Sequence, residues 1–370
     1  MALLDLLRRW GDAELFVASV DDGLRAEAAQ EVALVSDYAA RHGMRHVVLK
    51  WQWDGKGNLQ GGARDGRRDV LRAWATQRGI THVALGHTAD DQAETFLMRL
   101  ARGSGVDGLA GMAEERREGD LTWLRPLLGV RRDALRAHLR ASGLVWADDP
   151  SNDDPRFDRV KARQVMDALA PLGLTVDRLV QTAYHMAREK AVLSDAAGSA
   201  KAALARVEGG DVVLDRDGFS ALPEATALRI LADGLCFVSG ETYRPRFKAL
   251  QAAIADARDT ALHGCLILWG KDHVRLTREW RAVSEHQTEV DRVWDGRWRL
   301  SGPSSEGCEV AALGEEGLRM CPDWRDTGLP RRGLLASPAV WQGERLIAAP
   351  LAGFGAGWCA QLIAGRDVFG

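Results

Sequence analysis

Cysteine does not occur before Cys236, and the five cysteines present (Cys236, Cys265, Cys308, Cys321, Cys359) are odd in number and scattered. None has metal-ligand spacing, and a reducing compartment fits such usage. Lysine is confined to Lys50, Lys56, Lys161, Lys190, Lys201, Lys248 and Lys271, far fewer than the arginines. Genomic base composition produces that bias, so it has little functional weight. No run approaches the roughly 18 apolar residues that a membrane span needs. The start, Met1 to Trp10, lacks a basic n-region and a small-residue cleavage site, and charges interrupt its apolar positions. The chain therefore reads as cytoplasmic. There is no global positive field either, the net charge being −3, although local patches rather than the total govern nucleic-acid contacts. What remains is ordinary globular composition, 46% apolar and 27% charged over 370 residues, enough chain for two or three domains. Disorder, collagen-like repeats and a coiled coil are excluded for the chain as a whole.

From Glu14 to about Leu144, short apolar runs alternate with amphipathic stretches. Leu15–Val20, His46–Trp51 and Thr81–Leu85 read as strands, with helical spacing over Ala26–His42, Gly57–Arg78 and from Gly86-His87 to about Ala101. Strands separated by helices of this length imply parallel βαβ units, whose ligands sit beyond the carboxyl ends of the strands. Chemistry is thus expected at Asp21-Asp-Gly23 and Gly86-His-Thr88. Pro150 to Pro155 is a polar turn segment. From Asp167 to about Ile254 the pattern is mostly helical, with a hairpin at Gly209-Gly-Asp211. Beyond it tryptophan and glycine become dense, and Trp298-Arg-Leu300 and Arg345-Leu-Ile347 suggest a small β-rich terminal domain. The expected division is 1–165, 166–282 and 283–370.

The most informative stretch is Gly86-His-Thr-Ala-Asp-Asp-Gln-Ala-Glu-Thr95. Thr88 and Asp91 have the spacing of a capping box, and acids suit a helix N-terminus. Capping accounts for one acid or two. It does not account for Asp90, Asp91 and Glu94 together, since like charges at i,i+3 and i,i+4 repel by roughly 0.2–0.5 kcal/mol per pair. Three carboxylates at one strand-to-helix turn call for a cation, Mg2+ or an ammonium group. The run Arg99 to Gly111 combines glycines with Arg99 and Arg102, either an anion-binding backbone or a plain helix C-cap. Arg156, Arg159 and Arg163 follow an Asx/Pro turn at i, i+3, i+7, either one phosphate-facing side or a solvated helix start.

Together Val20-Asp-Asp-Gly-Leu-Arg25, the Ala63-Arg64…Arg67 helix and Gly86-His87…Asp90-Asp91-Gln-Ala-Glu-Thr95 resemble the tRNA(Ile)-lysidine synthetase family, with the N-type ATP-pyrophosphatase fold. Arg99…Arg102-Gly-Ser-Gly, Arg125-Pro-Leu-Leu128 and Asp149-Pro-Ser-Asn152…Arg159…Arg163 continue the resemblance in family order up to about residue 165. It implies an α/β parallel sheet with helices on both faces, then a helical domain and a small β-containing domain that grip tRNA. It also implies ATP-dependent joining of lysine to C2 of the wobble cytidine of a CAU-anticodon tRNA(Ile), through an adenylated intermediate. ATP and Mg2+ would be the cofactors, tRNA(Ile) and free lysine the partners, with room left for a homodimer and none for a membrane. By matching position, Asp91 and Glu94 would hold the lysine ammonium, and Arg67 would position lysine or the activated base. Arg159 and Arg163 would face the ATP phosphates, with Gly86 and His87 at the nucleotide pocket.

The chain departs from the family pattern in two places. Asp22 stands where members carry histidine, and the phosphate loop Ser-Gly-Gly-x-Asp-Ser that precedes a helix like Met1–Leu7 does not occur in the sequence. The expectation is a form truncated at its amino end that does not catalyse by itself. The absent strand would lie between Leu15–Val20 and Thr81–Leu85, so those strands must pair directly, leave a gap or recruit another segment. The alternatives are a catalytically silent tRNA-binding relic and a tRNA thiolase of the same fold. A persulfide-type thiolase needs cysteine near the nucleotide, and none precedes Cys236.

Overall fold

A computed structural model describes residues 1–23, 28–53, 59–147, 158–241, 243–303 and 306–363. The chain divides into two compact units, Met1–Ala191 and Val192–Gly370.

The first unit runs α1 (Ala2–Trp10), β1 (Phe16–Asp21), α2 (Ala28–Arg41), β2 (Arg45–Lys50), α3 (Leu59–Gln77), β3 (His82–Ala84), α4 (Ala89–Ala101), α5 (Val106–Leu109), β4 (Glu115–Glu118), β5 (Leu121–Leu124), α6 (Arg132–Ala141), α7 (Asp158–Leu169) and α8 (Val176–Leu204), within which the unit ends. Residue 165, the expected first boundary, falls inside α7. β1 and β2 pair in parallel, Phe16 opposite Arg45 through Asp21 opposite Lys50. β3 and β5 are also parallel, and β4 returns antiparallel on β5. These are two separate sheets: among the described residues β1 pairs only with β2, and β3 only with β5. Of the three arrangements expected for β1 and β3, the described residues show the gap.

Small apolar clusters fasten helices to these sheets. Ala2, Leu3 and Leu6 of α1 pack with Leu135 and Leu139 of α6, and each fully buried leucine contributes about 1.5–3 kcal/mol. The same helix buries Asp5, which accepts from the Tyr38 hydroxyl, from Arg9 Nε at 2.7 Å and from Arg8 at 3.2 Å, and lies 2.8 Å from His138 Nε2. A carboxylate out of water needs such partners. Gly66 marks a close approach of α3 to β2: a Cβ there would come within 1.8 Å of the Trp51 indole. Ala93 and Phe96 of α4, Met166 of α7, and Leu179 and Ala183 of α8 form the cluster that sets α7 against α4.

The second unit opens with the expected hairpin, β6 (Ala205–Glu208) and β7 (Asp211–Asp215), turning at Gly209 and Gly210 with φ of 56° and 86°. After α9 (Arg216–Ser220), α10 (Glu224–Ser239) and α11 (Phe247–Asp256) come β8 (Thr260–Leu262), β9 (Cys265–Trp269) and β10 (His273–Arg278). They join the hairpin in one antiparallel sheet ordered β6-β7-β10-β9-β8. The stretch Asp167–Ile254 is thus helical apart from its hairpin, as its pattern predicts, and β8, β9 and β10 beyond it complete a five-stranded sheet. Leu228, Leu231 and Leu235 of α10 pack on its Val212, Leu214, Ile267 and Leu276. The terminal part is β-rich as expected: β11 (Thr288–Glu289), β12 (Trp298–Ser301), β13 (Glu309–Ala312), β14 (Pro338–Gln342), β15 (Arg345–Ala348) and β16 (Cys359–Leu362). They form the sheets β11-β13-β14-β15 and β12-β16 around Trp294, Trp298 and Val340. No helix among the described residues is long and apolar enough to cross a membrane.

Candidate active site

The turn from β3 into α4 is built by its own capping chemistry. Thr88 is the N-cap of α4, and its hydroxyl accepts from the Asp91 amide at 3.3 Å. Asp91 Oδ2 accepts in return from the Thr88 amide at 2.8 Å and the Thr88 hydroxyl at 2.7 Å. Asp90 turns the other way, taking the Arg132 backbone N–H at 2.7 Å and so capping α6. Capping thus occupies Asp90 and one oxygen of Asp91, two acids as the spacing allows.

The other oxygen of Asp91 and Oε1 of Glu94 face cations of the same chain. Asp91 Oδ1 lies 3.3 Å from Arg132 Nη2 and 3.4 Å from Arg159 Nη1. Glu94, with no exposed surface, accepts from Arg163 Nε at 2.6 Å through Oε1, and Arg132 Nη2 is 3.5 Å away. Glu94 Oε2 is buried and has no hydrogen-bond partner among the described residues. Burial raises the Asp91 pKa, but the Thr88 hydrogen bonds and then the charges of Arg132 and Arg159 outweigh it, so the net shift is downward. Arginine side chains thus lie against these acids. Among the described residues no group of three His, Cys, Asp or Glu could hold a metal ion.

Asp91, Glu94, Arg159 and Arg163 are therefore brought together, two acids from α4 and two cations from α7. Arg67 is held elsewhere: Nη2 donates to Asp22 Oδ2 at 2.7 Å, just past the end of β1. Gly86 and His87 lie on the segment between β3 and α4, and a Cβ on Gly86 would make only ordinary contacts with Leu3. Arg99 binds the carbonyls of Gly108 and Gly111 at 2.8 and 2.9 Å, and Gly103 has φ of 70°, so this glycine-rich run acts as a cap and clasp. Gln92 secures it from α4 through the amide and carbonyl of Met112. Arg102 pairs with Asp158. The Asp149–Phe157 turn, with Arg156, and Arg25 lie outside the described residues, as does the side chain of Arg64.

Arg132 is the member that sequence reasoning missed. Two arginines starting a helix oppose its dipole, and at Arg131-Arg132 that misfit signals a nearby negative group. Asp90, Asp91 and Glu94 supply it.

A family model described as a PP-loop domain matches residues 1–169. The chain is 48% identical to the tRNA(Ile)-lysidine synthase of Ruegeria pomeroyi over 376 aligned residues, covering 100% of this chain and 90% of that protein. The chain belongs to the tRNA(Ile)-lysidine synthase family. The family's synthase from Methylobacterium sp. (strain 4-46) is 42% identical over 65% of this chain and 71% of its own length. A U34-tRNA thiolase, NcsA from Methanococcus maripaludis with its [4Fe-4S] cluster, has 16% identity and a TM-score of 0.42 over 52% of this chain and 68% of its own, a likeness too slight to bear on function.

Proposed function

We propose that Asp91 and Glu94 receive the ε-ammonium of free lysine, and that Arg132, Arg159 and Arg163 face the phosphates of ATP. Family membership carries the coarser statement: the chain is an ATP-dependent ligase that modifies tRNA(Ile). The observation that supports the finer one is Glu94 itself. A fully buried carboxylate with one oxygen on Arg163 and the other unpartnered is a strong acceptor in search of a donor, because burial without a partner costs about 1–3 kcal/mol or more for a charged group. An alkylammonium carries three donors and matches that vacancy.

The three guanidinium groups fit a triphosphate. Their side chains are between 25% and 37% exposed, so each pairs with carboxylate while keeping some surface open to solvent. Bound there, ATP supplies activation of the cytidine C2 position. The chain's own groups orient lysine, hold its charge and stabilise departing pyrophosphate. Mg2+ would come with the ATP phosphates, the usual way this ion is held. Gly86 and His87 would border the nucleotide. Arg67, paired with Asp22 beyond β1, would position the activated base. The regions 166–282 and 283–370 would grip the tRNA.

Equilibrium dialysis with labelled lysine, together with mass spectrometry of tRNA(Ile) digests for lysidine, tests the reading. Saturable lysine binding that alanine does not displace is expected. Binding of tRNA(Ile) with no affinity for lysine at any concentration would refute it.

A further inference from the structure

From the loop after α10 into the start of α11 the chain reads Tyr243-Arg-Pro-Arg-Phe-Lys248. Its backbone is fixed at two points: Pro245 is buried, and the Tyr243 carbonyl accepts from Cys236 Sγ at 3.2 Å. The side chains around those anchors point outward. Tyr243 is 64% and Phe247 61% exposed, and Arg246 and Lys248 are exposed beside them. The Tyr243 ring meets His263 at right angles, with centroids 4.9 Å apart. His263 and Gly264 have φ of 60° and 68° in the two-residue turn between β8 and β9, the type I′ geometry that holds a hairpin tightly. The tyrosine is thus braced by a rigid turn.

A single exposed aromatic needs no explanation. Two within five residues, interleaved with cations on a fixed backbone, do. Arg244 is engaged with Asp233 at 2.6 Å. Arg246 and Lys248 have no carboxylate partner among the described residues. Arg246 is the N-cap of the ten-residue α11, whose first turn contains no acid, so the positive helix end adds to the same field. Flat π-faces beside uncompensated cations match a polyanion with exposed rings, which is single-stranded nucleic acid. An acidic peptide would use the cations and leave both rings unmatched.

We infer that Tyr243, Arg246, Phe247 and Lys248 form a docking surface for a single-stranded segment of the tRNA, with bases stacked on the two rings and phosphates at the two cations. This rests on tRNA(Ile) being the substrate. The test is tRNA(Ile) binding by the full chain, measured by fluorescence anisotropy across a salt series, with a fully paired RNA duplex as comparison. Tyr243→Ala and Phe247→Ala should each weaken tRNA binding by roughly tenfold, Tyr243→Phe by less than about twofold, and all three should leave duplex binding and the melting temperature unchanged. Arg246→Gln and Lys248→Gln should each lower the slope of log affinity against log salt by about 0.7–0.9. Equal tRNA binding by parent and ring variants would overturn the surface while leaving the substrate intact. Equal losses on duplex and tRNA would overturn its single-stranded character. A parent chain that binds no tRNA(Ile) would overturn both the surface and the substrate on which it rests.

Discussion

Glu94→Gln isolates charge from shape at the centre of the proposed lysine site. Glutamine has nearly the volume of glutamate and keeps an acceptor for Arg163 Nε, now 2.6 Å from Glu94 Oε1. It loses the negative charge that faces Arg163 and Arg132. Removing one member of a buried ion pair costs about 3–5 kcal/mol when the other is left uncompensated. Here the arginines are 25% and 31% exposed and one hydrogen bond survives, so about 1–2 kcal/mol of stability is the expected loss. The effect on lysine is separate and larger. A hydrogen bond to a charged group is worth about 1.5–3 kcal/mol, which converts to a roughly 10- to 150-fold rise in the lysine dissociation constant. The assay pairs two measurements on the same preparation: lysine binding by equilibrium dialysis, and ATP binding by the shift in melting temperature that a bound ligand produces. Lysine affinity should fall by that factor while ATP affinity holds or rises, because Arg163 and Arg132 lose a competing carboxylate charge. Unchanged lysine affinity in a folded variant would refute the role assigned to Glu94, and equal losses for lysine and ATP would show a general collapse of the site.

Three further perturbations probe the frame around that site and in the second unit. Burial raises the Asp5 pKa, but hydrogen bonds from Tyr38, His138, Arg8 and Arg9 hold it well below the carboxylate range; its depressed folded pKa stabilises above about pH 4. That stability is lost as pH falls through the folded value, so Asp5→Asn should destabilise by about 1–2 kcal/mol at neutral pH, with the difference from parent shrinking in acid unfolding curves. Burial pushes Asp211 up to about 6 against the charge and hydrogen bond of Arg275; here the native state binds the extra proton, so stability falls as pH rises from about 4 to 6, by about 3 kcal/mol. Asp211→Asn should remove that decline, which urea unfolding at pH 4.5 and 7.5 would show by comparison with parent. Gln92→Leu leaves the buried amide and carbonyl of Met112 without the partners they have at 2.8 and 2.9 Å; a drop of about 2–3 kcal/mol in thermal or urea unfolding is expected.

Local patterns made much of the first unit legible. The strands β1 and β2 announced themselves as apolar runs ending in polar turns, and the Thr88–Asp91 capping box appears as its spacing predicts. What spacing could not show is who answers the acids. Arg132 meets Asp91 across 41 positions and Arg163 meets Glu94 across 69, contacts set by where α6 and α7 dock. The glycine-rich Arg99–Gly111 run was ambiguous because the same composition suits an anion nest and a C-cap; the Arg99 bonds to two carbonyls decide for the clasp. In the second unit, β8, β9 and β10 pair with their chain neighbours, but the sheet they complete was hidden because β10 meets β7 across three intervening helices. Helical periodicity over Glu224–Ser239 was visible, but the sheet against which its leucines pack was not.

The arginines around the acids also bear on how a chain with net charge −3 handles anionic substrates. Asp91 and Glu94 contribute two negative charges, and Arg132, Arg159 and Arg163 three positive ones. These five residues taken by themselves are net positive, although they are organised around carboxylates. Before any substrate arrives, the acids keep the guanidinium groups ordered and together, where like charges would otherwise drive them apart. A triphosphate offers the arginines a second, more highly charged acceptor on their solvent side, and planar guanidinium can serve two acceptors at once. Each bond that shifts toward phosphate leaves carboxylate charge less compensated, which strengthens the attraction for an incoming ammonium. Under the proposed reading, acids and arginines therefore act as one exchangeable set of ion pairs, so that ATP would prepare the carboxylates for lysine without a large movement of the backbone.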